Sequence, residues 1–112
     1  MREIKFRVWF SFMKSMDMDP VMDGWINDEF EFMEAEGRFP MQYTGLKDKN
    51  GREIFEGDVI KWGEGEEGEV RWIGLNAAFN VMMFSGGWLL FVPPVCEVIG
   101  NIYENPELVK EG

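Results

Sequence analysis

The side chains that could do chemistry here are 21 carboxylates, a single thiol at Cys96 and no imidazole at all. Without histidine, Ser-His-Asp triads, His-ligated zinc and imidazole general-base catalysis all drop out. Cys96 has no histidine partner and follows Pro94 and Val95, so structural burial is expected of it rather than nucleophilic work. One thiol cannot form an internal disulfide, which fits a reducing compartment. Paired carboxylates suit glycoside hydrolysis, but among 21 acids pairs arise by number alone. Asp17 and Asp19 are spaced for a divalent cation, yet the D-x-[DN]-x-[DN]-G pattern of an EF-hand loop is missing and a solvated surface is the better reading. There is no phosphate loop and no nucleophile motif. The expectation is a protein that is not an enzyme and uses no cofactor and no metal.

Charge points instead to surfaces. The 11 basic and 21 acidic residues leave a net charge of −10. That balance works against nonspecific nucleic-acid binding, which needs Lys and Arg to displace counterions. Residues 17–36 hold eight acids and no base, among them Asp17, Asp19, Asp23, Asp28, Glu29 and Glu31; a second group is Glu64, Glu66 and Glu67, with Glu69 close by. If the fold brings the two groups to one face, the result is a negative patch able to engage a basic protein or mimic phosphates. The rival surface is a local basic face of Lys47, Lys49, Arg52, Lys61 and Arg71, which a nucleic-acid-binding barrel would need segregated from the acids.

These residues must be positioned by strands. Ile4, Phe6 and Val8 alternate with Glu3, Lys5 and Arg7, the signature of a half-buried strand, and residues 14–18 suit a short return strand. Residues 29–34 read as either strand or helix, with aromatic content favouring strand. Asp48-Lys49-Asn50-Gly51 is a hairpin turn, either type I with a Gly bulge or a two-residue Asn-Gly connection. Ile54-Phe55 and Val59–Trp62 flank a second bend. Residues 63–68 (GEGEEG) form a flexible acidic loop, and strands follow at 69–73, 77–84, 88–92 and 95–102. Pro93-Pro94 keeps the end of one of them off a central sheet position. Asn105-Pro106 suits a capped helical turn. Short strands separated by Gly turns indicate a small barrel or sandwich. The 17 aromatic residues are ample for a core in which Trp9, Trp62, Trp72 and Trp88 are mostly buried, with Trp25 exposed. Met82 and Met83 face opposite ways, so one belongs at a sheet face or subunit contact, and a homo-oligomer would account for it. No apolar run approaches the roughly 18 residues of a membrane helix. The charged N-terminus is no signal peptide.

Three segments resemble the YopX-like family of phage proteins: MREIKFRVW at the start, YTGLKDKNGREIFEGDVIKW in the middle and EVIGNIYENPEL near the end. They span nearly the whole chain in the family's order. Phe10-Ser11-Phe12 departs from the polar turn more typical after the first segment. The resemblance implies an all-β fold with a small SH3-like barrel in the C-terminal part and a phage or prophage origin. It implies no catalytic or binding residues. The chain is therefore expected to be a single domain over residues 1–112. An N-terminal β-strand or hairpin extension with the acidic segment (1–40) should pack on an SH3-like barrel (41–112). The expected role is a cytoplasmic interaction module contacting a host or phage protein, or a second copy of itself, through its acidic surface.

Overall fold

The computed structural model describes residues 5–18, 37–75 and 77–109. The fold is all-β. Among the described residues nine strands form two antiparallel sheets, followed by a 3-10 turn at Pro106–Leu108. Sheet I has the order β2-β1-β3-β4, from Ser15–Asp17, Phe6–Phe10, Arg38–Lys47 and Glu53–Phe55. Sheet II has the order β8-β7-β6-β5-β9, from Trp88–Leu89, Ala78–Met83, Glu66–Ile73, Asp58–Trp62 and Glu97–Asn101. Sheet II curls into a half-barrel, the small barrel that was expected. Ile54, Ile60, Val70, Phe79, Val81, Val92, Cys96 and Val98 form its core, with Trp62 and Leu89 packed at the margin. Cys96 is buried and free, as expected.

The residues between the expected extension and the barrel are one continuous strand, since β3 runs through Pro40 and Met41 without a break. Pro40 pairs with Val8, and it costs no ladder bond. The N–H of Tyr43 reaches the carbonyl of Lys5, just before β1, so by alternation the N–H that Pro40 lacks would point away from β1. Between Tyr43 and Lys47 the β3–β4 register slips. The Thr44 hydroxyl bridges the slip, donating to the Ile54 carbonyl at 2.8 Å and accepting the Leu46 N–H at 3.1 Å.

The turn at residues 48–51 takes the bulged form. The Gly51 N–H closes it on the Asp48 carbonyl at 3.0 Å. Gly51 has φ +82°, while Asn50 stays out of the positive-φ region. A two-residue Asn-Gly hairpin would need positive φ at both. Asp48 does more than open the turn. Its Oδ1 accepts the N–H groups of Asn50 and Arg52, and its Oδ2 accepts the N–H of Val98 in β9, each at 2.9 Å. The side chain thus ties the hairpin of sheet I to the edge of sheet II. The Lys49 N–H to Cys96 carbonyl bond, 2.9 Å, reinforces the same seam.

Several sequence expectations need correction. Arg7 was assigned to the solvent face of β1, yet Arg7, Val8 and Trp9 are all buried, because the alternating faces of β1 are both covered. Glu66, Glu67 and Gly68 belong to β6, so the flexible acidic loop shrinks to residues 63–65. Gly68 fits because a Cβ there would lie 2.6 Å from the Met82 carbonyl oxygen. The strand expected over 88–92 is only Trp88–Leu89. Trp72 and Trp88 are 38% and 44% exposed rather than core. Asn105 makes no side-chain cap; its Oδ1 accepts the Asn101 N–H instead. The strand or helix expected over residues 29–34, and Trp25, lie outside the described residues.

Candidate interaction surfaces

Three places in the structure concentrate charge or exposed apolar surface, and their positions follow from the strand register. The first is internal. Arg7 Nη2 donates to Asp58 Oδ1 at 2.6 Å, and Asp58 Oδ2 accepts the Phe55 N–H at 2.7 Å. The Arg7 guanidinium lies over the Phe55 ring, 4.7 Å from its centroid, and Nη2 also approaches the Met41 sulfur at 3.6 Å. Arg7 Nε has no partner. Burial pushes the Asp58 carboxyl above its ordinary pKa, against the pull of Arg7 and of the Phe55 N–H. With no access from solvent, this pair is a joint between the sheets.

The second place is an acidic tip. Gly63 and Gly65 turn β5 into β6 with positive φ, which leaves Glu64 and Glu66 exposed and Glu67 half-buried. The neighbouring β7–β8 connection meets this tip. The Phe84 N–H donates to the Glu67 carbonyl at 2.9 Å, and the Ser85 hydroxyl donates to Glu66 Oε2 at 3.2 Å. A cleft of about 290 Å³ opens between them, lined by Gly65, Glu66, Glu67, Phe84 and Ser85. Trp88 begins three residues beyond Ser85, and Leu90 and Phe91 follow at 70% and 57% exposure. The acidic turn therefore contacts the β7–β8 connection, and β8 then runs back along β7 to the exposed Leu90 and Phe91. Sequence reasoning missed Leu90 and Phe91 because WLLFV has no alternation with which to assign faces. The signal was the Pro-Pro step, which ends the strand early.

The acids proposed from sequence do not meet as one group among the described residues. Asp17 is paired with Val8 in sheet I. Glu64, Glu66 and Glu67 sit at the far end of β5 from Asp58, where β1 docks. Asp19, Asp23, Asp28, Glu29 and Glu31 lie outside the described residues.

The third place is basic. Lys47, Lys49 and Arg52 project from the β3–β4 hairpin and are exposed, as is Lys61 on β5. Lys49 and Lys61 line one groove of about 180 Å³ together with Trp62, Gly63, Val95, Cys96 and Glu97. Arg71 stands apart. It is four residues along β6 from Glu67, the cross-strand partner of Lys61. It binds the buried Glu69 through two nitrogens, at 3.1 and 3.0 Å, and lies 6.0 Å from the Trp88 ring centroid. Of the five basic residues named from sequence, Lys49 and Lys61 thus share a groove, Lys47 and Arg52 extend from the same hairpin as Lys49, and Arg71 joins the Trp88 side.

Among the described residues no group of three or more His, Cys, Asp or Glu side chains is arranged to hold a metal ion. No helix among them is long and apolar enough to cross a membrane.

Comparison with known proteins agrees with this architecture. The crystal structure of protein EF1440 from Enterococcus faecalis matches with a TM-score of 0.69 and 25% identity, covering 98% of this chain and 100% of that one. No curated protein matches the chain. The family model described as YopX protein matches residues 8–110, nearly the whole two-sheet unit. The chain belongs to the YopX family.

Proposed function

We propose that the chain is a non-enzymatic protein-interaction module of phage or prophage origin that works in the bacterial cytoplasm. Its contact surface is the acidic tip of Glu64, Glu66 and Glu67 together with Trp88, Leu90 and Phe91 beyond the β7–β8 connection. The observation that carries this reading is that the Ser85–Glu66 bond ties the acidic turn to the β7–β8 connection, from which the chain leads into the exposed Trp88, Leu90 and Phe91. Aromatic anchors beside a charged rim suit protein recognition, with the apolar part supplying affinity and the charges orientation and rate. The complementary partner is a basic protein surface bearing an apolar cavity or ridge. A second copy of this chain, itself acidic, suits the rim less well.

The test is affinity capture from nuclease-treated bacterial lysate at low and high salt, using the unaltered chain, a Glu64→Lys/Glu66→Lys variant and a Trp88→Ala/Phe91→Ala variant. The expected result is one specific protein, released by salt and lost by both variants. Retention of the same protein by both variants would refute this surface.

A further inference from the structure

The basic hairpin is separate from the acidic tip and has a property that the overall charge conceals. In a chain of net charge −10, Lys5, Arg7 and Arg71 are each ion-paired, to Glu53, Asp58 and Glu69. Among the described residues, Lys47, Lys49, Arg52 and Lys61 make no ion pair. Tertiary structure brings Lys49 and Lys61 to one groove, and Lys47 and Arg52 lie on the same hairpin as Lys49. The Lys49 N–H to Cys96 carbonyl bond sets the hairpin against β9, and β9 pairs Glu97 with Lys61. The carboxylates nearby are engaged or outnumbered. Asp48 is buried and spends its oxygens on three backbone N–H groups. Glu53 is occupied by Lys5, and Glu97 receives the Asn50 amide at 3.4 Å. The groove between Lys49 and Lys61 is walled by Trp62, half-buried against the core, and by exposed Val95.

We infer that this face binds a single strand of nucleic acid, with Lys49 and Lys61 on phosphates at the groove, Lys47 and Arg52 extending the contact along the hairpin, and Trp62 offering a base its exposed portion. Cations alone would suit any polyanion. The aromatic wall beside them is what selects a nucleic acid, since every base has a face to stack and an acidic polypeptide has none. A duplex would hide its bases from Trp62, so the unpaired strand is the better fit. Glu67 and Glu97, the two cross-strand neighbours of Lys61, and the negative charge of the whole chain restrict such binding to low ionic strength.

Fluorescence anisotropy of a labelled oligo-dT in dilute salt, followed in parallel by tryptophan emission, tests this. With three or four phosphates engaged, affinity should fall about 20- to 50-fold between 50 and 200 mM salt. Lys49→Glu/Lys61→Glu should weaken binding by about tenfold or more and flatten the salt dependence. Lys49→Arg/Lys61→Arg should retain binding, and Lys14→Glu, a charge reversal elsewhere, should leave it unchanged. Far-UV circular dichroism of each variant separates lost binding from lost fold. The inference is overturned by no binding in dilute salt, or by binding that the double reversal leaves intact. Equal affinity for inorganic polyphosphate or poly-glutamate with no tryptophan quenching also overturns it, the former indicating a bare anion site and the latter an acidic protein partner. Glu64→Lys/Glu66→Lys should not weaken oligonucleotide binding, so failure of the acidic-tip reading and failure of this one are distinguishable.

Discussion

Arg7 of β1 and Asp58 of β5 meet at 2.6 Å with both side chains buried, and the contact joins sheet I to sheet II. Removing one partner leaves a buried charge uncompensated, which costs about 3–5 kcal/mol, whereas the intact pair has a much smaller net value. Arg7→Met should therefore lower the urea midpoint strongly, and so should Asp58→Asn. The double variant Arg7→Met/Asp58→Asn should recover part of the loss, because the Asn side-chain oxygen still accepts the Phe55 N–H and no charge is stranded. Additive losses in the double-mutant cycle would show that the two residues act independently.

Asp48 gives a pH signature. Burial opposes its charge, but the N–H groups of Val98, Arg52 and Asn50, with the field of Arg52, outweigh burial and hold the carboxyl below its ordinary pKa. A depressed folded-state pKa contributes stability that is present above the unfolded value, near 3.8, and is lost as pH falls through the folded value. Asp48→Asn should be less stable than the unaltered chain at neutral pH, by about 1–3 kcal/mol. The gap should narrow below about pH 4. Chemical denaturation across pH 2.5–7 (about five points) reads this directly, and a gap independent of pH would exclude ionised Asp48 as the tie.

Gly68 is a steric requirement. A Cβ there would meet the Met82 carbonyl oxygen at 2.6 Å and Val81 Cγ1 at 2.7 Å. Gly68→Ala must push β7 away from β6, and a loss of about 1–3 kcal/mol is expected, as for other overpacked sites. Gly63→Ala serves as the comparison, since nothing lies within 4 Å of its Cβ position and its φ of +58° is the only obstacle. Thermal melts should place Gly68→Ala lower.

Leu90 and Phe91 test the exposed segment. Substitution of exposed side chains away from structural contacts usually changes stability by no more than about 0.5 kcal/mol. Leu90→Ser/Phe91→Ser should melt near the unaltered chain and stay soluble to higher concentration. A large loss of stability would mean that these side chains are packed.

Cys96 should be silent in the native state. Burial, and secondarily the Asp48 carboxylate, push its thiol above the ordinary pKa, so little thiolate exists to react. Thiol reagents should label it only after unfolding. Rapid labelling of the folded protein would contradict its place in the core.

Local chemistry alone determined much of this molecule. The alternation in Arg2–Trp9, the Asp48–Gly51 turn and the glycines between β-branched runs specify short strands and tight connections, because strand period and positive φ act over a few residues. The all-β small barrel follows from them, and so does the burial of Cys96. What alternation cannot say is which neighbour covers each face. Arg7 sits where a solvent-facing residue would, and only the docking of sheet I on Asp58 turns it inward. Trp72 and Trp88 have the composition of core, but the two-residue length of β8 leaves sheet II uncovered at that margin. Lys61 joins Lys49 because β9 carries the hairpin to it. Such contacts join residues far apart in sequence, so burial and clustering of charge were decided by strand order and register.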